Sequence, residues 1–256
     1  MNARASLESS PPAELSSFFA QMRELLLASA APPDPNLAYY RTLVWRNYDK
    51  ILGDVFASSR AAICSARAEP GHGRTLWDEC VRAYAMECPR AAHDPNEFAR
   101  AFPDWISRQA ARLGEPLSSR LGELADLHWT LHLCGIAPPL ADHASEDLEQ
   151  RIFIRQYSFD VVGWRKALES GARSGQDLAA LATGDPHFFV CFRHLRSQRV
   201  EILRASLAEL QVLAASAGIV PPSGTQLSES LSKPARIRLA RLGVLRPPTE
   251  IPKLDA

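Results

Sequence analysis

Near residue 140 the spacing of the apolar residues along this chain changes. Ahead of that point they recur every three or four positions. Leu37, Tyr40, Val44, Tyr48, Ile51 and Val55 fall on or near one stripe, and Leu117, Leu121, Leu124, Leu127 and Leu131 mark another. Beyond it, Ile152 and Ile154 alternate with Phe153, Arg155 and Tyr157. The first spacing lines one face of a helix and the second one face of a strand. A chain with this switch holds a helical part followed by a part that contains strands.

The punctuation supports this division. Ser10 before Pro11 is a helix start, and "APPDP" at 31–35 breaks the chain before a second helix near Asn36. Further helical stretches are expected at about 57–68, 74–88 and 95–113, with Pro103 splitting or restarting the last of these. The leucine-rich helix ends near Gly135. "GIAPPLADHASEDLEQ", residues 135–150, with its prolines and acids, reads as a boundary. After it, "RIFIRQYSFDVV", "HFFVCFR" and "RVEIL" are strand candidates. Ser206 and Glu209 form a capping box ahead of a helix that Gly218 can stop, and "SKPARIRLARLG" is a short basic helix capped by Gly243. The expected fold is mostly α: a helical bundle over 1–135, a linker over 136–150, and a small winged-helix-like α+β module with a short β-sheet over 151–256.

Charge is placed unevenly. The chain as a whole is neutral, with 29 Lys and Arg against 29 Asp and Glu. Between His187 and Arg246, however, Arg193, Arg196, Arg199, Arg204, Lys233, Arg236, Arg238, Arg241 and Arg246 face only Glu201, Glu209 and Glu229. The neutral whole argues against a protein coated for nucleic acid, while the basic segment fits a solvated face or a surface for something anionic. A DNA-reading regulator, with Arg236, Arg238 and Arg241 of the basic helix at phosphates or bases, is the rival reading. Ile237, Leu239 and Leu242 leave that helix few positions for base readout.

Little chemistry is written into the side chains. Cys64, Cys80, Cys88, Cys134 and Cys191 include no C-x-x-C pair and sit in apolar contexts, as core-filling free thiols do. His128 and His132 stand at i and i+4, a chelating spacing, but Trp129 occupies the place where a zincin needs Glu. Phosphate cradle, nucleophile elbow and common zinc module are all missing from the sequence. No apolar run approaches a membrane span, and residues 1–12 carry no apolar signal region, so a cytoplasmic protein is expected.

Several segments, in order, resemble one family. "YYRTLVWRNYDKILGDVF" carries a Tyr-Arg-x(5)-Asn segment on Tyr40, Arg41 and Asn47, then Leu52 and Phe56. "WDECVRAYAMECP", "EFARAFPDWI" and "LADLHWTLHL" follow, the last with His128 where an acid is usual. "RIFIRQYSFDVVGW" and "FFVCFR…RVEILRAS" complete the pattern, which spans about 37–246; the family's usual Pro after Phe56 is missing. The chain is similar to the partner proteins of multinuclear non-heme iron-dependent oxidases, first labelled DNA-binding proteins, which include the methanobactin and thiaglutamate biosynthesis partners. The resemblance implies a heterodimer in which the oxidase holds the iron and modifies cysteines of a ribosomally made precursor peptide. The partner chain holds the peptide's leader and has no catalytic residue, metal or cofactor of its own.

An extended leader can add a strand to an open sheet edge. The expected docking residues are Phe188, Phe189, Val190, Cys191, Phe192 and Arg193 on one strand, or Arg199, Val200, Ile202 and Arg204 on the next. Arg193 and Arg199 are expected near acidic leader residues. The alternative is that both strands are interior and fully paired. Tyr40, Arg41 and Asn47 are the expected contacts to the oxidase, although Tyr40 and Val44 also read as core, and Arg41 and Asn47 as braces between helices.

Overall fold

A computed structural model describes residues 34–65, 72–88, 95–114, 117–137, 152–170, 186–194, 197–219 and 229–246, with Ser17, Glu24 and Pro32. The helix expected after Ser10, most of the expected linker and residues 171–185 lie outside the described residues. Asp34 starts the first long helix, α1 (Pro35–Val55). Its carboxylate accepts from the Asn36 N–H at 2.8 Å, and Pro35 stands where a missing N–H costs nothing. Helices α2 (Ala57–Ser65), α3 (His72–Glu87), α4 (Pro95–Arg100), α5 (Phe102–Ser107), α6 (Ala110–Leu113) and α7 (Leu117–Ile136) follow. Pro103 restarts the chain as expected, in the first turn of α5.

The bundle closes around aromatic rings. Phe56 stacks on Phe102 at 4.6 Å between centroids, and Tyr84 meets Phe102 and Trp105 edge-on at 5.2 and 5.4 Å. Two of the buried indoles find carboxylate acceptors. Trp77 donates to Asp49 at 2.6 Å and Trp105 to Glu87 at 2.7 Å. Helices α5 and α7 lie close together at Gly122, where an added Cβ would stand 2.5 Å from Ser107 Cβ. Valine at 122 therefore forces the two helices apart. We expect Gly122→Val to cost about 2 kcal/mol or more, read as a lower Tm in thermal unfolding.

After the bundle come β1 (Ile152–Tyr157), α8 (Val161–Glu169), β2 (His187–Arg193), β3 (Val200–Arg204), α9 (Leu207–Ser216) and α10 (Glu229–Arg241). The first strand is shorter than its apolar pattern implies. Residues 158–162, expected to continue it, instead turn into α8. Asp160 caps that helix, accepting from the Gly163 N–H at 3.0 Å. Phe159 packs on Trp164 at 5.5 Å, the hydrophobic staple that fixes a helix entry. The capping box at Ser206 and Glu209 forms, and Gly218 and Gly243 both take positive φ, as their cap roles require.

The sheet is antiparallel throughout, in the order β1-β2-β3. Both of its faces are covered. Phe153, Tyr157, Phe189, Cys191 and Ile202 join the bundle core, which also takes in Phe159, Val161 and Trp164. Ile152, Val190, Phe192 and Leu203 join a smaller core with Val212 and Leu213 of α9, and Ala235 and Leu239 of α10. The boundary near 136–150 thus separates chain segments but not cores. The sheet is the middle layer of a continuous packing.

Candidate functional site

The pairing decides which backbone groups are open. β2 is bonded to β1 along one side, Ile152↔Phe192 to Tyr157↔His187, and to β3 along the other, Phe189↔Arg204 to Arg193↔Val200. It has no free edge. The expectation that the backbone of Phe188 to Arg193 docks an extended chain is corrected: every ladder position there is already occupied. Its side chains are occupied as well, with Phe189 and Cys191 packed toward the bundle and Val190 and Phe192 toward α9 and α10. Burial also pushes the Cys191 thiol up to about 12, which keeps it protonated and unreactive.

β3 is different. His194 N–H donates to the Arg199 carbonyl at 2.8 Å, and Ala205 N–H to the Phe188 carbonyl at 2.9 Å. These two bonds bracket the ladder and set its parity. Bonded and non-bonded positions alternate in an antiparallel pair, so Glu201 and Leu203 turn their amides toward β2. Val200, Ile202 and Arg204 turn theirs outward. Among the described residues no strand pairs with that outer side. The side chains of Val200 and Ile202 are half-buried, whereas Arg199 and Arg204 are exposed at the two ends. Neither guanidinium is ion-paired among the described residues.

Arg193 does not belong to this edge. Its guanidinium donates to the carbonyls of Cys134 (3.1 Å), Gly135 and Ala137 (3.0 Å) at the end of α7. There a cation meets the unsatisfied carbonyls and the negative end of the helix dipole. Its expected place beside acidic leader residues is therefore corrected. The same helix end stands beside β3: a Cβ on Gly135 would meet Val200 Cγ2 at 3.7 Å. Further along α7, Asp126 accepts from the Tyr157 hydroxyl at 2.9 Å and pairs with Arg155 at 3.2 Å, and Glu123 accepts from the backbone and hydroxyl of Ser158. Two carboxylates on one helix thus clamp the sheet to the bundle. Sequence reasoning missed this, because they read as a solvated face. Their i, i+3 spacing was the available signal.

The other expected residues are spread out. Tyr40 is 46 % exposed on α1, not in the core, and Asn47 is exposed while Arg41 is half-buried. Leu37, Tyr39 and Leu43 are exposed on the same half of α1, leaving an apolar surface there. On α10, Arg238 is bound to Glu209 at 2.6 Å. Glu209 is only 1 % exposed and also serves the capping box, so Arg238 fastens α10 to α9. Leu239 is buried.

His128 faces the end of α1 and the Arg165 and Glu169 side of α8. Burial first, then the Arg165 cation, lower its pKa to about 4, against opposing contributions from Glu169 and a bond to the Val55 backbone. Its Nε2 is buried without a hydrogen-bond partner. His132 stacks on Trp129 at 5.3 Å. The two imidazoles thus have separate surroundings.

No helix among the described residues is long and apolar enough to cross a membrane. No family model matches the chain, and no curated protein matches it.

Proposed function

We propose that this chain is a non-catalytic partner subunit that holds the leader of a ribosomally made precursor peptide as an added strand on β3, in a heterodimer with a multinuclear iron-dependent oxidase. The observation that carries the reading is the outward amide row of Val200, Ile202 and Arg204 on an edge with no strand beside it among the described residues. Main-chain bonds along such an edge supply affinity for any extended peptide, and the neighbouring side chains supply selectivity. Arg199 and Arg204 attract an acidic one.

The β1, α8, β2–β3, α9, α10 order is taken as a winged-helix-like module used for peptide instead of DNA. Binding Arg238 to a buried carboxylate removes a cation that a DNA-reading helix would use, which favours the peptide reading. The oxidase docks on the bundle, at the exposed apolar half of α1 around Tyr40, Arg41 and Asn47. The iron and its ligands belong to the oxidase, and the complex works in the cytoplasm.

The test is size-exclusion of the full chain with an iron oxidase of barrel type and a labelled, Cys-containing precursor peptide. A three-component complex is expected, with peptide affinity changing less than tenfold between low and moderate salt. Steep salt-dependent binding to duplex DNA, with no peptide capture, would instead mark a regulator, since counterion release dominates phosphate contacts.

A further inference from the structure

We infer that the β3 edge reads a specific alternation in the peptide: an acidic residue, then apolar residues two and four places later, laid antiparallel to β3. This rests on the strand-addition reading above and names what that site selects.

Parity comes first. Val200, Ile202 and Arg204 each present both an N–H and a C=O outward, and an antiparallel neighbour satisfies both groups at each residue by direct exchange. A parallel strand meets them with slanted, less favourable bonds, and the existing sheet is antiparallel throughout.

The faces follow from the pairing. Side chains of directly opposed residues lie on the same side of a sheet. The peptide residues opposite Val200, Ile202 and Arg204 therefore project toward the bundle. On that side Ile202 packs at the margin of the large core, Val200 lies against Gly135, and Ile136 beside it is 53 % exposed. Among the described residues no strand covers this surface beside Val200 and Ile202, which are half-buried. Arg204, exposed at the far end, lacks an anion among the described residues. The peptide runs opposite to β3, so its acid comes first, facing Arg204. Its apolar residues then face Ile202 and Val200. The residue between those two lies opposite Glu201 on the other face and is neutral or basic, because a like charge directly opposite is unfavourable.

The full chain is titrated into fluorescein-labelled peptides containing Glu-Thr-Val-Lys-Val, with anisotropy as the readout. Changing the peptide Glu to Lys is expected to weaken binding about fivefold to tenfold, the scale of a cross-strand charge pair turned from attractive to repulsive. Arg204→Glu, a substitution at an exposed position, is expected to invert that preference. The reversed sequence Val-Lys-Val-Thr-Glu is expected to bind more weakly than the forward one. A third peptide, N-methylated at the first Val, probes strand addition itself and is expected to lose binding. If N-methylation weakens binding but Arg204→Glu leaves the Glu/Lys preference unchanged, or the reversed peptide binds as well, the inferred alternation is wrong and strand addition stands. If N-methylation has no effect, or no peptide binds, strand addition fails and the alternation with it.

Discussion

Proline at position 202 is expected to weaken capture of an extended peptide by roughly 10-fold to 100-fold while the protein stays folded. The Ile202 N–H points away from β2, so Ile202→Pro breaks no ladder bond inside the sheet. Proline is tolerated on an edge strand for this reason. The ring takes the place of the outward donor and stands where an added strand must approach. One peptide carbonyl is then left unpaired, at about 1–3 kcal/mol, which is the stated loss in affinity. The next residue supplies the contrast. The Leu203 N–H turns inward and its side chain is buried, so Leu203→Pro removes a β2–β3 bond and opens the smaller core. That variant is expected to unfold by circular dichroism, whereas Ile202→Pro keeps its spectrum with a modestly lower Tm from lost packing. Unchanged peptide affinity in a folded Ile202→Pro chain would remove β3 as the docking edge.

Acidification is expected to destabilise the folded protein through His128 well before most carboxylates titrate. In the unfolded chain this imidazole protonates near pH 6.5, and in the fold only near 4, mainly because burial disfavours the cation. Between these values the unfolded state binds more protons, so stability is complete above about pH 6.5 and falls as the pH falls toward 4. The whole contribution is about 3 kcal/mol, of which about 2 kcal/mol is gone by pH 5. Arg165 on α8 adds to the effect, because it opposes a second positive charge. Urea titrations at pH 7.5, 6.0 and 5.0 measure it. His128→Leu is expected to show a much flatter dependence over this range, even if less stable at pH 7.5. Parallel slopes in the two proteins would assign the pH dependence to other groups.

Much of the secondary structure is legible in the sequence because its causes are local. Asp34 with Pro35, the Ser206–Glu209 box and the glycines at 218 and 243 each act within a turn of their own position. The start of α8 is set equally locally, by signals that its surroundings mask. Phe159, Asp160 and Trp164 form a cap and staple, but the apolar run from Ile152 to Val162 carries strand-like spacing across it. Tyr40 shows the opposite failing. It shares a helical stripe with Tyr48 and Ile51, yet among the described residues the core reaches Tyr48, Ile51 and Val55 and leaves Tyr40 exposed. Periodicity identifies a face without saying how far along the helix a partner extends.

What the chain determines by itself is the succession of helices and strands, the parity of each strand and the uneven placement of its cations. These depend on residues close together in sequence, where spacing and caps act directly. Which strand lies in the centre, which keeps an open amide row, and which arginines remain available were decided by the tertiary structure. Arg193 and Arg199 flank the same hairpin turn, and nothing local distinguishes them. One meets the end of a helix built some sixty residues earlier, and the other meets solvent. Strand order and charge pairing arise from contacts between distant segments, so they become visible only once those segments pack.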